Sequence, residues 1–226
     1  MKKRQLCACI LVAFFLGGGI LVAEEKTPPP AKAASKHAGE MIFLRDFGTD
    51  EVGFLSVPQQ QPLLGVLVVP DGRGLDDRVK KLCDVLASQG YLALAVDIYN
   101  GRVAEDDAQA RANRKGIDRD EAYKALETGL NFYAKSPRFQ MQRIAMVALG
   151  DADEIALALC RETKNRSLVV VSLAGGTIET DGRGLRQRIQ RLDAATAADP
   201  VALAGQLHTF WSLPETKKNF FERLVE

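Results

Sequence analysis

The sequence predicts an α/β fold, a mostly parallel sheet with helices on both faces. Three observations carry that expectation. Apolar residues run through Leu63–Val69, Tyr91–Val96 and Ile144–Leu149, and fill Ser167–Leu173 apart from its two serines, as they do in strands buried on both faces. The segments between these runs are long enough for helices and repeat apolar residues at three- and four-residue spacing. Gly or Asp stands just after each run, where a tight turn into a helix needs such residues. Strands alternating with helices in this way build βαβ units and hence a parallel sheet. A chain of 226 residues suits one such domain with a full core.

At the N-terminus, Lys2, Lys3 and Arg4 precede an uncharged apolar run from Leu6 to Val22, and small Ala23 precedes Glu24. That is the build of an export signal over residues 1–23. Leu21 is larger than the usual residue three positions before a cleavage site, so an uncleaved signal anchor remains the alternative. Residues 24–40 are rich in Pro, Ala and Lys with no apolar period and are expected to be an extended tether that includes His37. The folded domain is then 41–226. Met41–Arg45 and Glu51–Val57 are expected as two strands around the turn residues Phe47–Asp50.

After the Leu63–Val69 strand, Asp76–Ser88 sets Val79, Leu82, Cys83, Leu86 and Ala87 at helical spacing, and Gly90 stops the helix. The polar stretch Val103–Arg119 is expected to be helical in part. Glu121–Ala134 is expected as a helix burying Ala122, Ala125, Leu126 and Leu130, ended by Pro137. A helix follows the Ile144–Leu149 strand up to Cys160. Beyond Ser167–Leu173 and Gly175-Gly176, the expectations are a charged helix over Leu185–Leu192, a strand near Val201–Ala204 and a last helix over Pro214–Val225. The pentapeptide Asp-Gly-Arg-Gly-Leu occurs at 71–75 and 181–185 in unlike contexts, which reads as coincidence.

Charge excludes some partners. Of 30 basic and 29 acidic residues, loss of Lys2, Lys3 and Arg4 with the signal leaves 27 against 29. No basic run is interleaved with aromatics, so no nucleic-acid partner is expected. Membrane contact is expected only if the first segment stays uncleaved. Cys83 and Cys160 lie among apolar residues, where buried free thiols are the ordinary reading.

Ligand sites in open parallel sheets lie beyond the carboxyl ends of the strands. Those ends carry Asp71-Gly72-Arg73, Asp97-Ile98-Tyr99-Asn100, Gly150-Asp151-Ala152-Asp153 and Ala174-Gly175-Gly176, with His208 following the expected strand at 201–204. The segment from Ile144 to Cys160 has the layout of a nucleophile elbow, a strand, a glycine turn and a helix, yet the nucleophile position is Ala152. A methyl group cannot attack a carbonyl. Asp151, Asp153 and Glu154 have two readings: they cap the first turn of the helix that follows, or they fill space once open to an anionic or ester substrate. Asp71-Gly72-Arg73-Gly74 is either a turn capping the next helix or a loop whose Gly72 amide faces a bound oxygen. His208 with Asp71, Asp97, Asp151 or Asp153 is either an acid/base pair or weak metal site, or a surface histidine beside acidic loops. No spacing fixes a metal geometry, so neither metal nor cofactor is expected. Arg73, Arg102 and Arg183 are ordinary surface charges, one of which is placed to pair with the acidic cluster.

The run Leu63–Gly101, with Gly74-Leu75 after the first core strand, Gln89-Gly90-Tyr91 closing a helix and Asp97-Ile98-Tyr99 after the next strand, resembles the dienelactone hydrolase family. Weaker similarity extends from Gly53 to Phe221. The resemblance implies an α/β-hydrolase-like fold. It also implies where catalytic residues belong, and this chain departs at each place. Members have Gly-x-Cys-x-Gly-Gly or Gly-x-Ser-x-Gly-Gly where this chain has Gly150-Asp151-Ala152-Asp153-Glu154-Ile155. His208 takes the place of the family's acid, Asp71 that of a Glu before the oxyanion loop, and the last strand with the catalytic His is missing. No catalytic residue is therefore expected, and Asp71, Gly72, Arg73, Tyr99, Ala152 and His208 are the candidate ligand-binding residues.

Two readings of different class follow: an exported relative that binds an unknown small molecule or protein without catalysis, and a divergent hydrolase of esters or lactones. A tethered structural domain is the third. A strand left at the sheet edge makes an edge-strand homodimer a further expectation.

Overall fold

The structure, a computed structural model, describes residues 37–178 and 184–212. Its centre is a seven-stranded sheet. In chain order the strands are β1 (Glu40–Phe43), β2 (Val52–Ser56), β3 (Gly65–Val69), β4 (Leu92–Val96), β5 (Ile144–Leu149), β6 (Leu168–Ala174) and β7 (Arg188–Leu192). Their spatial order is β1-β2-β4-β3-β5-β6-β7. The hairpin β1–β2 joins antiparallel to β4, and every pair from β4 to β7 is parallel. The four apolar runs become the four inner parallel strands, and β3, β4 and β5 are buried at every position.

The helices are α1 (Asp77–Ser88), α2 (Asp107–Lys115), α3 (Arg119–Lys135), α4 (Asp153–Glu162), α5 (Ala194–Ala198) and α6 (Pro200–Ser212). One core layer joins the sheet to α1 and α6 through Val79, Leu82, Leu86, Leu203 and Leu207. The other joins it to α3 and α4 through Leu126, Leu130, Tyr133, Leu157 and Leu159. A fully buried large apolar side chain contributes about 1.5–3 kcal/mol, so these layers dominate stability. Helix α1 starts where Asp76 accepts the Val79 amide, an N-cap bond. Tyr133 reaches through α3 to the sheet, its buried hydroxyl donating to the Val66 carbonyl at 2.7 Å and lying 3.0 Å from the Leu92 carbonyl. Cys83 and Cys160 are buried free thiols. Burial pushes Cys160 up to about 12 and Cys83 further, so neither is a nucleophile near neutral pH.

Three expectations are corrected. The span Leu185–Leu192 is not a helix: Arg188–Leu192 forms β7, an edge strand among the described residues, pairing in register with Val170–Ala174. Its alternation places Gln190 against the Ser172 hydroxyl at 2.8 Å, and the edge position leaves charged Arg191 exposed, so charge here marks an edge rather than a helix. The expected strand at Val201–Ala204 lies inside α6, whose first turn is bonded to Asp199 through the Val201 amide at 2.9 Å. The end of the expected tether is also part of the domain. The Asp84 carboxylate of α1 accepts from the Ala38 and Gly39 amides, the Ser56 hydroxyl and the His37 ring at 2.7–3.2 Å, and Glu40 begins β1. Residues 1–36, including the expected export signal, and the expected helix at Pro214–Val225 lie outside the described residues. Among the described residues no helix is long and apolar enough to cross a membrane.

Candidate functional site at the strand-to-helix bend

The loops at the carboxyl ends of β3, β4 and β5 converge, and each is fixed by its own polar side chains. After β4, the Asp97 carboxylate accepts from the Tyr99 amide at 2.8 Å and the Gly101 amide at 2.5 Å, shaping a loop in which Asn100 has φ 55°. Asp97 is thus a loop brace and not a free carboxylate. After β3, Asp71 accepts from its own turn at the Arg73 amide and pairs with Arg78 of α1 at 2.5 Å.

The bend itself is a 3-10 turn, Gly150–Ala152, leading into α4. Its one left-handed residue is Gly150, at φ 52°, a conformation glycine adopts without cost. Ala152 has φ −76° and ψ −2° and is 3% exposed. In an elbow the nucleophile itself occupies the strained position; here position 152 is relaxed, and its methyl packs into the core layer beneath α4.

Asp151 turns away from α4. Its Oδ1 accepts the Gly72 amide at 3.2 Å, and its Oδ2 pairs with Arg114 of α2. The Gly72 peptide is held on its other side, where the Asn113 side-chain amide donates to its carbonyl at 3.1 Å. The amide that the sequence suggests for a bound oxygen therefore already has a carboxylate in front of it. Burial is the main influence raising the Asp151 carboxyl above its ordinary range, with Arg114 and the Gly72 amide opposing and Asp71 and Asp153 adding. Tyr99, 2% exposed, lies beneath; burial and then the charges of Asp151 and Asp71 push its phenol well up, against Arg114.

Of the first-turn acids, Asp153 serves one free amide of α4, its Oδ1 accepting from the Glu154 N–H at 2.9 Å. The N-cap residue of α4, Ala152, offers no side-chain acceptor. The other oxygen of buried Asp153 accepts the Ile178 amide at 2.8 Å and so ties down the loop after β6. Gly176 is needed beside it, because a Cβ there would lie 2.4 Å from Asp153 Oδ2. Glu154 pairs with Arg119 at 2.8 Å on the surface. Arg73 pairs with Asp107 at the start of α2. The result is an open hollow of about 250 Å³ between Gly72, Arg73, Asp151 and the α2 residues Asp107, Arg111 and Arg114. Ala152 and Tyr99 do not line it.

The structure thus brings Asp71, Gly72, Arg73, Tyr99, Asp151 and Ala152 together. It does not bring His208. Because residues 201–204 are helical, His208 rides on α6, and its Nδ1 is 2.8 Å from the Tyr91 hydroxyl at the start of β4. That is the opposite end of the sheet from the bend, so His208 leaves the ligand-binding set and has no part with Asp71, Asp97, Asp151 or Asp153. Arg102 donates to the Tyr99 carbonyl at 3.0 Å rather than to the acids, and Arg183 lies outside the described residues. Sequence reasoning missed Asn113 and Arg114, whose only signal was an unusually polar helix placed just after the β4 loop. Among the described residues no group of three or more His, Cys, Asp or Glu is arranged to hold a metal ion.

Similarity to known proteins agrees with this geometry. The model of the dienelactone hydrolase family matches residues 52–166, a span that contains the bend and stops short of His208. A dienelactone hydrolase from Anabaena variabilis ATCC 29413 is 13% identical over 77% of this chain and 98% of its own, with a TM-score of 0.57. The structure called m3DLH is 26% identical over 76% of this chain and 78% of its own, with a TM-score of 0.55. A dienelactone hydrolase-like promiscuous phosphotriesterase from metagenomic libraries is 19% identical over 76% and 77%, with a TM-score of 0.56. These likenesses show an α/β-hydrolase-like fold. No curated protein matches the chain.

Proposed function

The chain belongs to the dienelactone hydrolase family, and from that premise we propose that it is a member without carboxylic-ester hydrolase activity, which binds a small molecule or another protein at the remodelled bend. The observation that carries this reading is Ala152, a buried methyl in a relaxed conformation where a nucleophile would stand. Two further facts support it. The chain has two histidines; His37 is bonded to α1 and His208 to Tyr91, so no imidazole is at the bend to serve as general base. The Gly72 amide, the candidate oxyanion donor, is engaged by Asp151. Loss of a nucleophile costs on the order of 10⁶ in turnover and leaves at best about 10³- to 10⁴-fold over water.

Hydrolysis of a panel of p-nitrophenyl esters and a dienelactone by the purified protein tests the reading. No turnover above that of heat-unfolded protein is expected, and none in Ala152→Ser or Ala152→Cys, since either new nucleophile lacks a base. Turnover by the unaltered protein would overturn the proposal in favour of a divergent hydrolase. The basic residues at 2–4 and the apolar run 6–22 support an exported protein. Fractionation and mass analysis of the expressed chain should find it outside the cytoplasm and starting at Glu24; a cytoplasmic protein starting at Met1 would refute export.

A further inference from the structure

Helix α2 lies over the bend, yet almost nothing apolar fastens it there. Its sequence is Asp-Ala-Gln-Ala-Arg-Ala-Asn-Arg-Lys, and its one buried residue is Asn113, a polar one. The Ala110 carbonyl approaches Gly72 so closely that a Cβ on Gly72 would sit 2.3 Å from it, so α2 touches the loop backbone to backbone. Otherwise its contacts with the site are polar: Asn113 to the Gly72 carbonyl, Arg114 to Asp151, and Asp107 to Arg73. Asp151 is the hub, because one of its oxygens faces the Gly72 amide and the other faces α2.

We propose that the Asp151 carboxylate is an internal ligand: it occupies the anion position in front of the Gly72 amide and, through Arg114, latches α2 across the bend. An outside anion or an acidic group of a partner reaches that position only by displacing Asp151, and one that cannot also hold Arg114 releases α2 in doing so. The latch rests on the binding reading of the bend given above and supplies its regulation. Three features favour a latch over an incidental surface pair. Asp151 is not spent on capping α4, the nearest use for an acid at a helix start. Arg114 and the Gly72 amide, the two groups it faces, oppose the upward push of burial on its carboxyl. And both the peptide it faces and the arginine it holds bear on the same helix.

Hydrogen–deuterium exchange of the Ala110–Lys115 amides in the whole protein tests this, since exchange reads local opening of a single element. In Asp151→Ala and in Arg114→Gln, these amides are expected to exchange about two- to fivefold faster, the factor that loss of a partly exposed ion pair implies. Amides of β3 and β5 should be unchanged. Arg119→Gln, which breaks only the pair with Glu154, should leave α2 as it was. Formate supplies the carboxylate that Asp151→Ala lacks, and it should restore α2 protection in that variant more than chloride at equal ionic strength, but not in Arg114→Gln. Unchanged α2 exchange in both latch variants overturns the proposal, and so does a formate effect no larger than that of chloride. If Asp151→Ala loses protection throughout the sheet, the surface variant Arg114→Gln decides the latch alone. Ester turnover by the unaltered protein would sink the binding reading without altering these exchange rates, so the two failures are distinct.

Discussion

At the amino ends of the strands, Tyr91 stands edge-on to Trp211 and to His208, with ring centroids 5.2 Å and 5.7 Å apart, above the fully buried Leu203 and Leu207. At the carboxyl ends, Asp151, Arg114, Arg73 and Asp107 hold one another by charge beside solvent. Both ends close the sheet, by different physics. Aromatic and aliphatic burial contributes to the stability of the whole domain, whereas part-exposed ion pairs contribute little to it and instead decide where one helix sits. Substitutions at the first end should therefore move global unfolding, and those at the second should move local opening.

Leu207→Ala should have the largest effect. Leu207 is fully buried between α6 and the sheet, and the cavity should cost about 2–5 kcal/mol in urea unfolding while leaving α2 exchange unchanged. A cost near zero would break the contrast, by showing that α6 is not part of the cooperative unit. Gly176→Ala comes next and tests the exception at the carboxyl end. There a buried carboxylate, Asp153, does structural duty, and the added methyl must push it off the Ile178 amide, costing about 1–3 kcal/mol. Tyr91→Phe removes the bond to His208 and should cost about 0.5–1.5 kcal/mol, with no change in ligand binding or turnover; a change in either would return His208 to the site.

The smallest effect is a pH dependence. Burial holds the Asp151 carboxyl above its unfolded value, so the folded chain binds that proton more tightly than the unfolded one. The stability this confers is fully present below the unfolded pKa and is lost as pH rises through the higher folded one. Asp151→Asn stays uncharged, so its stability relative to the unaltered protein should grow with pH across that acidic window and level off above it. Urea midpoints at stepped pH measure the difference, and a difference that shrinks with rising pH would reverse the assigned direction.

The central sheet was legible because β3, β4, β5 and β6 are covered on both faces, and such strands announce themselves as apolar runs. The last third was not. Arg188–Leu192 is a strand with charged positions and little apolar signal of its own, and among the described residues it pairs only with β6. Residues 199–204 held the right signal: Asp199 followed by Pro200 is a cap followed by the residue favoured at a first helical position. Placing His208 at the family's acid position set a strand at Val201–Ala204 ahead of it and masked that signal, so His208 was carried to the wrong end of the sheet. At the bend, the missing nucleophile could be read from one letter, Ala152. The latch could not, because Gly72, Arg114 and Asp151 are distant in sequence and no period or spacing links them.

The Asp84 carboxylate gathers His37, Ala38, Gly39 and Ser56 onto α1, and this has a mechanical consequence. Tension applied to the chain ahead of residue 37 arrives at this cluster of short bonds before it reaches the hydrogen bonds of β1. The load then passes into α1 and the buried layer beneath it, so the edge strand is shielded from being peeled away one pair at a time. A single carboxylate thus works as strain relief where the chain enters the domain.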